Sequence, residues 1–295
     1  MAGRVTESSI KTAVLANLQR SIQKGQKIQE QLSSGKTINR PSDSPTGTLV
    51  SMQLRGETRA QAQYLRSSDD GVGWLSTLDG TLASTSTALN KARDLTVQGL
   101  NSGGGSAESR KALAVEMDQI RKTMIGYANT TYLDRPVFGG TTTGTIAYSA
   151  EGEFVGNNDE VTRTVGPNSK VRVDAAGAAA FGEGDNQVFK VLDDISKALT
   201  ANDMDAVGEG LKRLDSAADN VKNTLSDVGA RYNRVNQMKQ SAQDRLLDVT
   251  AQLSDVEDVD LPKAIMEMQL QQTSYQAALA ASAKVIQPSL IDFLR

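Results

Sequence analysis

Along most of this chain apolar residues return in steps of three and four, the spacing of a helix with one buried face. Ile10, Val14, Leu15, Leu18, Ile22, Ile28 and Leu32 mark a first amphipathic segment, with Gly25 its weak point. A turn-rich stretch follows, LSSGKTINRPSDSPTG (Leu32–Gly47), in which Ser44-Pro45 reads as an N-cap with proline at the first helical position. The next helix is expected from Pro45 to about Leu100. In it Leu75, Leu78, Leu82, Thr85, Leu89, Ala92 and Thr96 form a heptad seam, and Gly71 and Gly73 weaken the middle. NSGGGSAES (Asn101–Ser109) reads as a loop, with Ser106 capping a helix seamed by Leu113, Met117, Ile120, Met124 and Tyr127.

The period changes between Val137 and Gly184, where Gly, Thr and Val alternate in short runs. EFV and VTRTV flank GNNDE, which predicts a hairpin turning at Gly156–Glu160, and KVRVD (Lys170–Asp174) reads as a further strand placed after the turn-like GPNS (Gly166–Ser169). Helical spacing then returns. Val221, Leu225, Val228, Tyr232, Val235, Lys239, Ala242, Leu246, Val249, Leu253 and Val256 keep one phase over five heptads, in a helix predicted over Asp203–Val256. At 1.5 Å per residue that helix is about 80 Å long. SDVEDVDLP (Ser254–Pro262) interrupts the pattern, with Asp260 able to cap a final helix carrying Ile265, Met268, Gln272, Tyr275, Leu279, Ser282 and Ile286, which Pro288 should end.

The order is therefore helix, corner, long helices, β segment, long helices, corner, helix. The predicted fold class is mainly α: an elongated rod of long antiparallel helices built by the N- and C-terminal arms, with a small central β insertion at its tip. Residues 1–35 with 262–295 are expected to form a terminal helical domain, 36–136 with 186–261 a central helical bundle, and 137–185 a β-rich insertion.

Composition narrows the function. Of 295 residues 38% are hydrophobic and 4% aromatic, poor material for one large core. The 32 basic and 35 acidic residues leave a net charge of −3 without a like-charge run, which argues against nucleic acid or an anionic membrane as the main partner. Cysteine and histidine are both absent, so no thiol, imidazole or usual zinc site is available, and the reading is of a non-enzyme with no cofactor or metal. Met1–Arg20 lacks the pattern of a cleaved secretory signal, and no apolar run is long enough to span a membrane.

Smaller signals have ordinary readings. Asp255, Glu257, Asp258 and Asp260 lack calcium-loop spacing and read as a solvated helix end. Asn129-Thr130-Thr131 matches a glycosylation acceptor by chance pattern, Trp74 reads as core, and Ser33, Ser34 and Lys36 lack the surroundings of a Ser/Lys nucleophile.

The terminal helices stand apart because Asn17, Gln272, Ser282 and Ser289 interrupt their seams. Two such helices bury too little apolar area, at about 25 cal/mol per Å², to offset the entropy of ordering them. They are expected to order only when many copies pack together. The expected contact residues are Leu15, Leu18, Ile22, Met268, Tyr275, Leu279 and Ile286, joined by Leu32, Gly35, Asn39, Pro41, Asp43 and Pro45 of the corner. In that corner Gly35 and Gly47 can adopt conformations that other residues resist, Pro41 and Pro45 fix φ, and Asp43 or Ser44 can cap the following helix.

QLSSGKTINRPSDSPTG (Gln31–Gly47) resembles the N-terminal corner of the bacterial flagellin superfamily, L-S-S-G-(K/R)-x-I-N-x-(P/A)-x-D-(D/S)-x-x-G, and Ser254–Arg295 resembles its C-terminal partner segment. The resemblance covers both arms, roughly 1–136 and 185–295. NRPSDSP (Asn39–Pro45), RPVFGGT (Arg135–Thr141) and the ending SYQAALAASAKVIQPSLIDFLR are closer to the hook–filament junction branch than to filament subunits. The resemblance implies a structural protein of the flagellum, exported unfolded through the type III apparatus without a cleaved signal. Its terminal helices would order as an inner tube, and the corner would be the elbow to an outer tube. Implied partners are the first hook-associated protein, flagellin, further copies of the chain in a ring, and an export chaperone on the C-terminal helix. Flagellin itself is the alternative. A signalling coiled coil, the third reading, would need a sensor or membrane segment that the pattern does not contain.

Overall fold

Ser44 starts the longest helix as expected: its Oγ accepts the Gly47 N–H at 3.1 Å, and Pro45, whose missing N–H costs nothing there, is the first helical residue. The structure, a computed structural model, describes residues 7–101 and 106–286. Residues 102–105 of the expected loop, Pro288 and Ser289 lie outside the described residues, as do the side chains of Ile10 and Ile286.

The elements in order are α1 (Glu7–Ser34), α2 (Pro45–Asn101), α3 (Ala107–Ala128), β1 (Thr131–Tyr132), β2 (Arg135–Pro136), β3 (Thr162–Gly166), β4 (Ser169–Arg172), α4 (Gly177–Phe181), α5 (Val188–Ala201), α6 (Met204–Glu257) and α7 (Leu261–Ile286). The fold is mainly α, with two small two-stranded sheets among the described residues. The chain divides into two compact units, residues 1–59 with 246–295 and residues 60–245, and α2 and α6 contribute to both.

Unit 60–245 holds a continuous core. Every residue of the predicted α2 seam, from Leu75 to Thr96, is buried, as are Leu113, Met117, Ile120 and Met124 of α3. Val221, Val228 and Val235 of α6 join them. Ser106 caps α3 by accepting the Ser109 N–H at 3.2 Å, as its position predicts. α2 runs unbroken through Gly71 and Gly73. A Cβ on Gly73 would lie 2.5 Å from the Tyr132 hydroxyl, so this glycine admits the neighbouring segment close to the helix, whereas one on Gly71 would make only an ordinary contact, 3.4 Å from Val173. Trp74 is core, with the guanidinium carbons of Arg135 and Arg163 at 5.7 and 5.6 Å from its ring and Arg163 also paired to Asp70.

The hairpin forms across the turn-like GPNS and not across GNNDE. β3 pairs antiparallel with β4, Thr162 opposite Arg172, and the chain turns at Pro167-Asn168. GNNDE is drawn elsewhere: Asn157 accepts the Thr141 N–H at 2.8 Å and donates to Thr141 Oγ1 at 2.9 Å, while its own N–H donates to Gly139 O at 3.1 Å. EFV makes a single bridge, Tyr148 opposite Phe154. Asn129, which matched a glycosylation pattern, ends α3; its Oδ1 accepts the Ala147 and Tyr148 N–H groups, both at 2.8 Å, and its Nδ2 donates to Tyr148 O at 2.8 Å. Phe138, Phe154, Phe181 and Phe189, four of the five phenylalanines, gather round Tyr148 in this region.

Candidate functional site

In unit 1–59 with 246–295, α1 runs antiparallel to α7, and the chain turns through the corner at one end of that pair. α1 ends at Gly35, whose φ of +72° is the left-handed conformation that a side chain resists. The freed backbone then pairs with the α6–α7 connection. The Thr37 N–H donates to Glu257 O at 2.6 Å, the Val259 N–H to Gly35 O at 3.0 Å, and Thr37 Oγ1 to Asp258 O at 2.9 Å. The two corners of the mirrored layout are thus stitched to each other.

A carboxylate holds the centre. Glu257, read from the sequence as part of a solvated helix end, is 3% exposed and receives two cations. Lys36 Nζ lies 2.8 Å from Oε2, and Arg55 approaches bidentately, Nε to Oε1 and Nη2 to Oε2 both at 2.6 Å. Arg55 first, then Lys36, pull the Glu257 carboxyl down to about 2, against an opposing push from burial. Asp260 caps α7 by accepting the Lys263 N–H at 3.1 Å.

Asp43 organises the other side. It does not cap α2, which Ser44 does. Its Oδ2 accepts the Asn39 and Arg40 N–H groups at 3.2 and 2.9 Å, and its Oδ1 lies 3.1 Å from Lys27 Nζ. The Arg40 backbone donor first, then Lys27, lower its pKa. Asn39 Nδ2 donates to Lys36 O at 3.2 Å. Gly47 is needed for a reason other than conformational freedom: it lies within α2, and a Cβ there would sit 2.6 Å from Ile38 Cδ1 and 2.7 Å from Ser44 Oγ.

The two glycines therefore predict different costs. Gly35→Ala meets no atom within 4 Å and suffers backbone strain alone, about 1 kcal/mol. Gly47→Ala must displace Ile38 and the cap, at about 2 kcal/mol. Amide exchange of the α1 and α7 residues measures both; equal effects would contradict this difference.

The α1–α7 pairing is thin. Val14, Leu18, Ser21, Gly25, Ile28, Gln31 and Leu32 are the covered positions among the described side chains of α1, as are Ala264, Met268, Gln271, Tyr275, Ala278 and Ser282 among those of α7. Among the described residues of these helices only Ile28 and Ala264 are buried. Gln271 donates to Ser21 O and Oγ at 2.9 and 2.7 Å and passes beside Gly25. The covered face of α7 runs through Ala264, Gln271 and Ala278, so Ile265, Gln272 and Leu279 lie just off it and stay exposed.

Of the expected contact residues, Leu15, Ile22, Leu279, Pro41 and Pro45 are exposed. Leu18, Leu32, Gly35, Asn39, Asp43, Met268 and Tyr275 are half-buried. Ile286 is the last described residue of α7. The same unit exposes further large apolar side chains that the periodicity did not single out: Leu49 (70%), Val50 and Met52 of α2, Leu247 of α6, and Met266 and Leu270 (68%) of α7. The run LVSM after the Ser44 cap was their signal. For Glu257 the signal was its place eight residues after Val249, on the same helix face.

Among the described residues no group of three or more acidic side chains is placed to hold a metal ion, and no helix is long and apolar enough to cross a membrane.

Comparison with known proteins gives two family matches. Residues 5–142 match the bacterial flagellin N-terminal helical region, and residues 211–294 the bacterial flagellin C-terminal helical region. Flagellar hook-associated protein 3 of Escherichia coli (strain K12) is 26% identical over 283 residues, covering 86% of this chain and 88% of the relative. Flagellin of Bacillus subtilis (strain 168) is 28% identical over 281 residues, covering 89% of each. The crystal structure of Bacillus cereus FlgL superposes with a TM-score of 0.59 at 23% identity, covering 68% of this chain and 97% of that one; it shares the fold.

Proposed function

This chain belongs to the bacterial flagellin family, and from that premise we propose that it is the hook–filament junction subunit of a bacterial flagellum, a structural protein without catalysis. The observation that carries the reading is the junction-type lead-in RPVFGGT (Arg135–Thr141), which is built into the fold. Arg135 stacks on Trp74, and Phe138 is fully buried edge-on to Phe181 at 4.9 Å. The relatedness to hook-associated protein 3 supports it along most of the chain.

In this reading residues 1–35 and 262–295 form the inner tube, 36–136 with 186–261 the outer tube, and 137–185 the outward-facing insertion. The thin α1–α7 pairing and the exposed Leu15, Ile22, Leu279 and Leu270 are completed by neighbouring copies, by the first hook-associated protein below and by flagellin above. The corner, stitched by Glu257 and Asp43, keeps the same elbow in every subunit. Export unfolded and without a cleaved signal, escorted by a chaperone on the C-terminal helix, fits a chain with no disulfide to break and weakly paired ends.

The β3–β4 turn offers a direct test, because the chain has no cysteine of its own. Asn168→Cys, exposed in that turn, labelled with a maleimide dye on intact cells, should give one spot where each filament leaves its hook. Label along the whole filament would make the chain flagellin, the second reading, which the Bacillus subtilis relative favours.

A further inference from the structure

The β1–β2 hairpin carries a strained residue at its tip. Tyr132 pairs with Arg135, so Leu133 and Asp134 form a two-residue turn. Their φ values, +48° and +60°, lie in the left-handed region that such a turn requires, for which Asn-Gly is the favoured sequence. Aspartate tolerates that conformation, whereas leucine resists it. Leu133 is nonetheless there, and at 74% it is the most exposed large apolar side chain among the described residues. It strains the backbone and covers little of its own chain. Strain kept without a gain inside the fold points to a contact outside it.

The same unit offers a complementary surface. Between α2 and α3 runs an open groove of about 310 Å³, floored by Ala88 and Ile120. The hydroxyls along it are spent within their own helices: Ser84 donates to Gly80 O, Thr87 to Ala83 O and Thr123 to Gln119 O, at 2.9, 3.0 and 2.9 Å. Its two charges, Lys91 and Glu116, neutralise each other at 2.6 Å. The groove therefore suits an apolar side chain. Two donors at its edge, the Gln119 amide and the Tyr127 hydroxyl, make no hydrogen bond among the described residues. Beside Leu133, the exposed Asp134 carboxylate is an acceptor equally without a partner among them. The turn cannot fill the groove of its own copy. Tyr132 packs against Gly73, and the groove begins at Ser84, about 16 Å further along α2.

We propose that Leu133 of one copy seats in the α2–α3 groove of another, where Asp134 accepts hydrogen bonds from Gln119 and Tyr127. This deepens the reading of the chain as a subunit that assembles with copies of itself, and rests on it. The chain has no cysteine, so introduced ones report the contact. Flagella from cells carrying Asp134→Cys with Gln119→Cys are oxidised and the chain is followed by non-reducing electrophoresis. A ladder of dimers and higher species is expected, because turn and groove are different patches of each copy; either single variant should give none. Leu133→Asn suits the left-handed turn. It should raise the melting temperature of the purified chain by about 2 °C, yet lower incorporation about tenfold, with the exported chain left in the medium. Leu133→Met keeps an apolar side chain and should incorporate normally. Absence of the ladder from flagella that contain the double variant, or normal incorporation of Leu133→Asn, would overturn the contact. A lowered melting temperature for Leu133→Asn would assign Leu133 to the packing of its own chain and overturn it too. Absence of the unsubstituted chain from isolated flagella would instead defeat the junction reading, and this inference with it.

Discussion

Replacing Leu279 or Ile22 with aspartate abolishes incorporation into the flagellum while leaving unit 60–245 as stable as before. Both side chains are exposed in the single chain and lie outside that unit's core, so a charge there costs the monomer little. In a packed interface the same carboxylate loses its water without gaining a partner, at several kcal/mol, and the loss recurs in every subunit. Leu18→Asp behaves differently in one respect. Leu18 is half-buried against the α1–α7 pairing, so this variant also loosens the helix pair of the isolated chain. Electron microscopy of cells carrying each variant, with melting of the purified proteins, separates the two effects. Filaments of normal number and length from Leu279→Asp cells would remove the terminal helices from the assembly surface.

Glu257→Gln frees the corner. Its carboxylate is buried between Lys36 and Arg55, and the amide cannot neutralise either. Both cations are about half exposed and recover some hydration, so the expected cost is about 2 kcal/mol, below the range for fully buried pairs. Because the folded carboxyl titrates near 2, below its ordinary value, its contribution is complete above about pH 5 and is lost as the pH falls toward 2. Amide exchange at Thr37 and Val259, whose N–H groups carry the stitch between the corners, reads this locally. In the native chain their protection should fall on acidification. In the variant it should be low already at neutral pH and respond much less to acid. Protection unchanged by the substitution would make Glu257 incidental to the corner.

The sequence conveyed the helical arms well because period is a property of many residues at once. Leu75 to Thr96 form one buried line in α2, and the Val221–Val256 line of α6 is covered throughout, Lys239 included, which bends to pair with Asp69 at 2.7 Å. Short-range chemistry was equally legible where the partner is three residues away, as at Ser44, Ser106 and Asp260. What escaped depends on distant partners. GNNDE has every local mark of a turn, but Asn157 is taken up by Thr141. Glu257 looks like its neighbours Asp255 and Asp258 until Lys36 and Arg55, 221 and 202 residues away, arrive beside it. Gly47 looks like a hinge until Ile38 is found against it. In the terminal helices the polar interruptions left two adjacent faces nearly equal in apolar content. Ser21, which accepts the Gln271 amide, marks the face used for pairing within the chain, and Leu279 and Ile265 are left outward.

The central claim, a junction subunit and not the filament itself, is tested most directly by deleting the gene and measuring flagellin in the culture supernatant while imaging hooks. The account predicts bare hooks with abundant free flagellin in the medium, because filament subunits are exported but find no surface to start on. Bare hooks with no flagellin in the medium would contradict it, since the missing chain would then be the filament subunit.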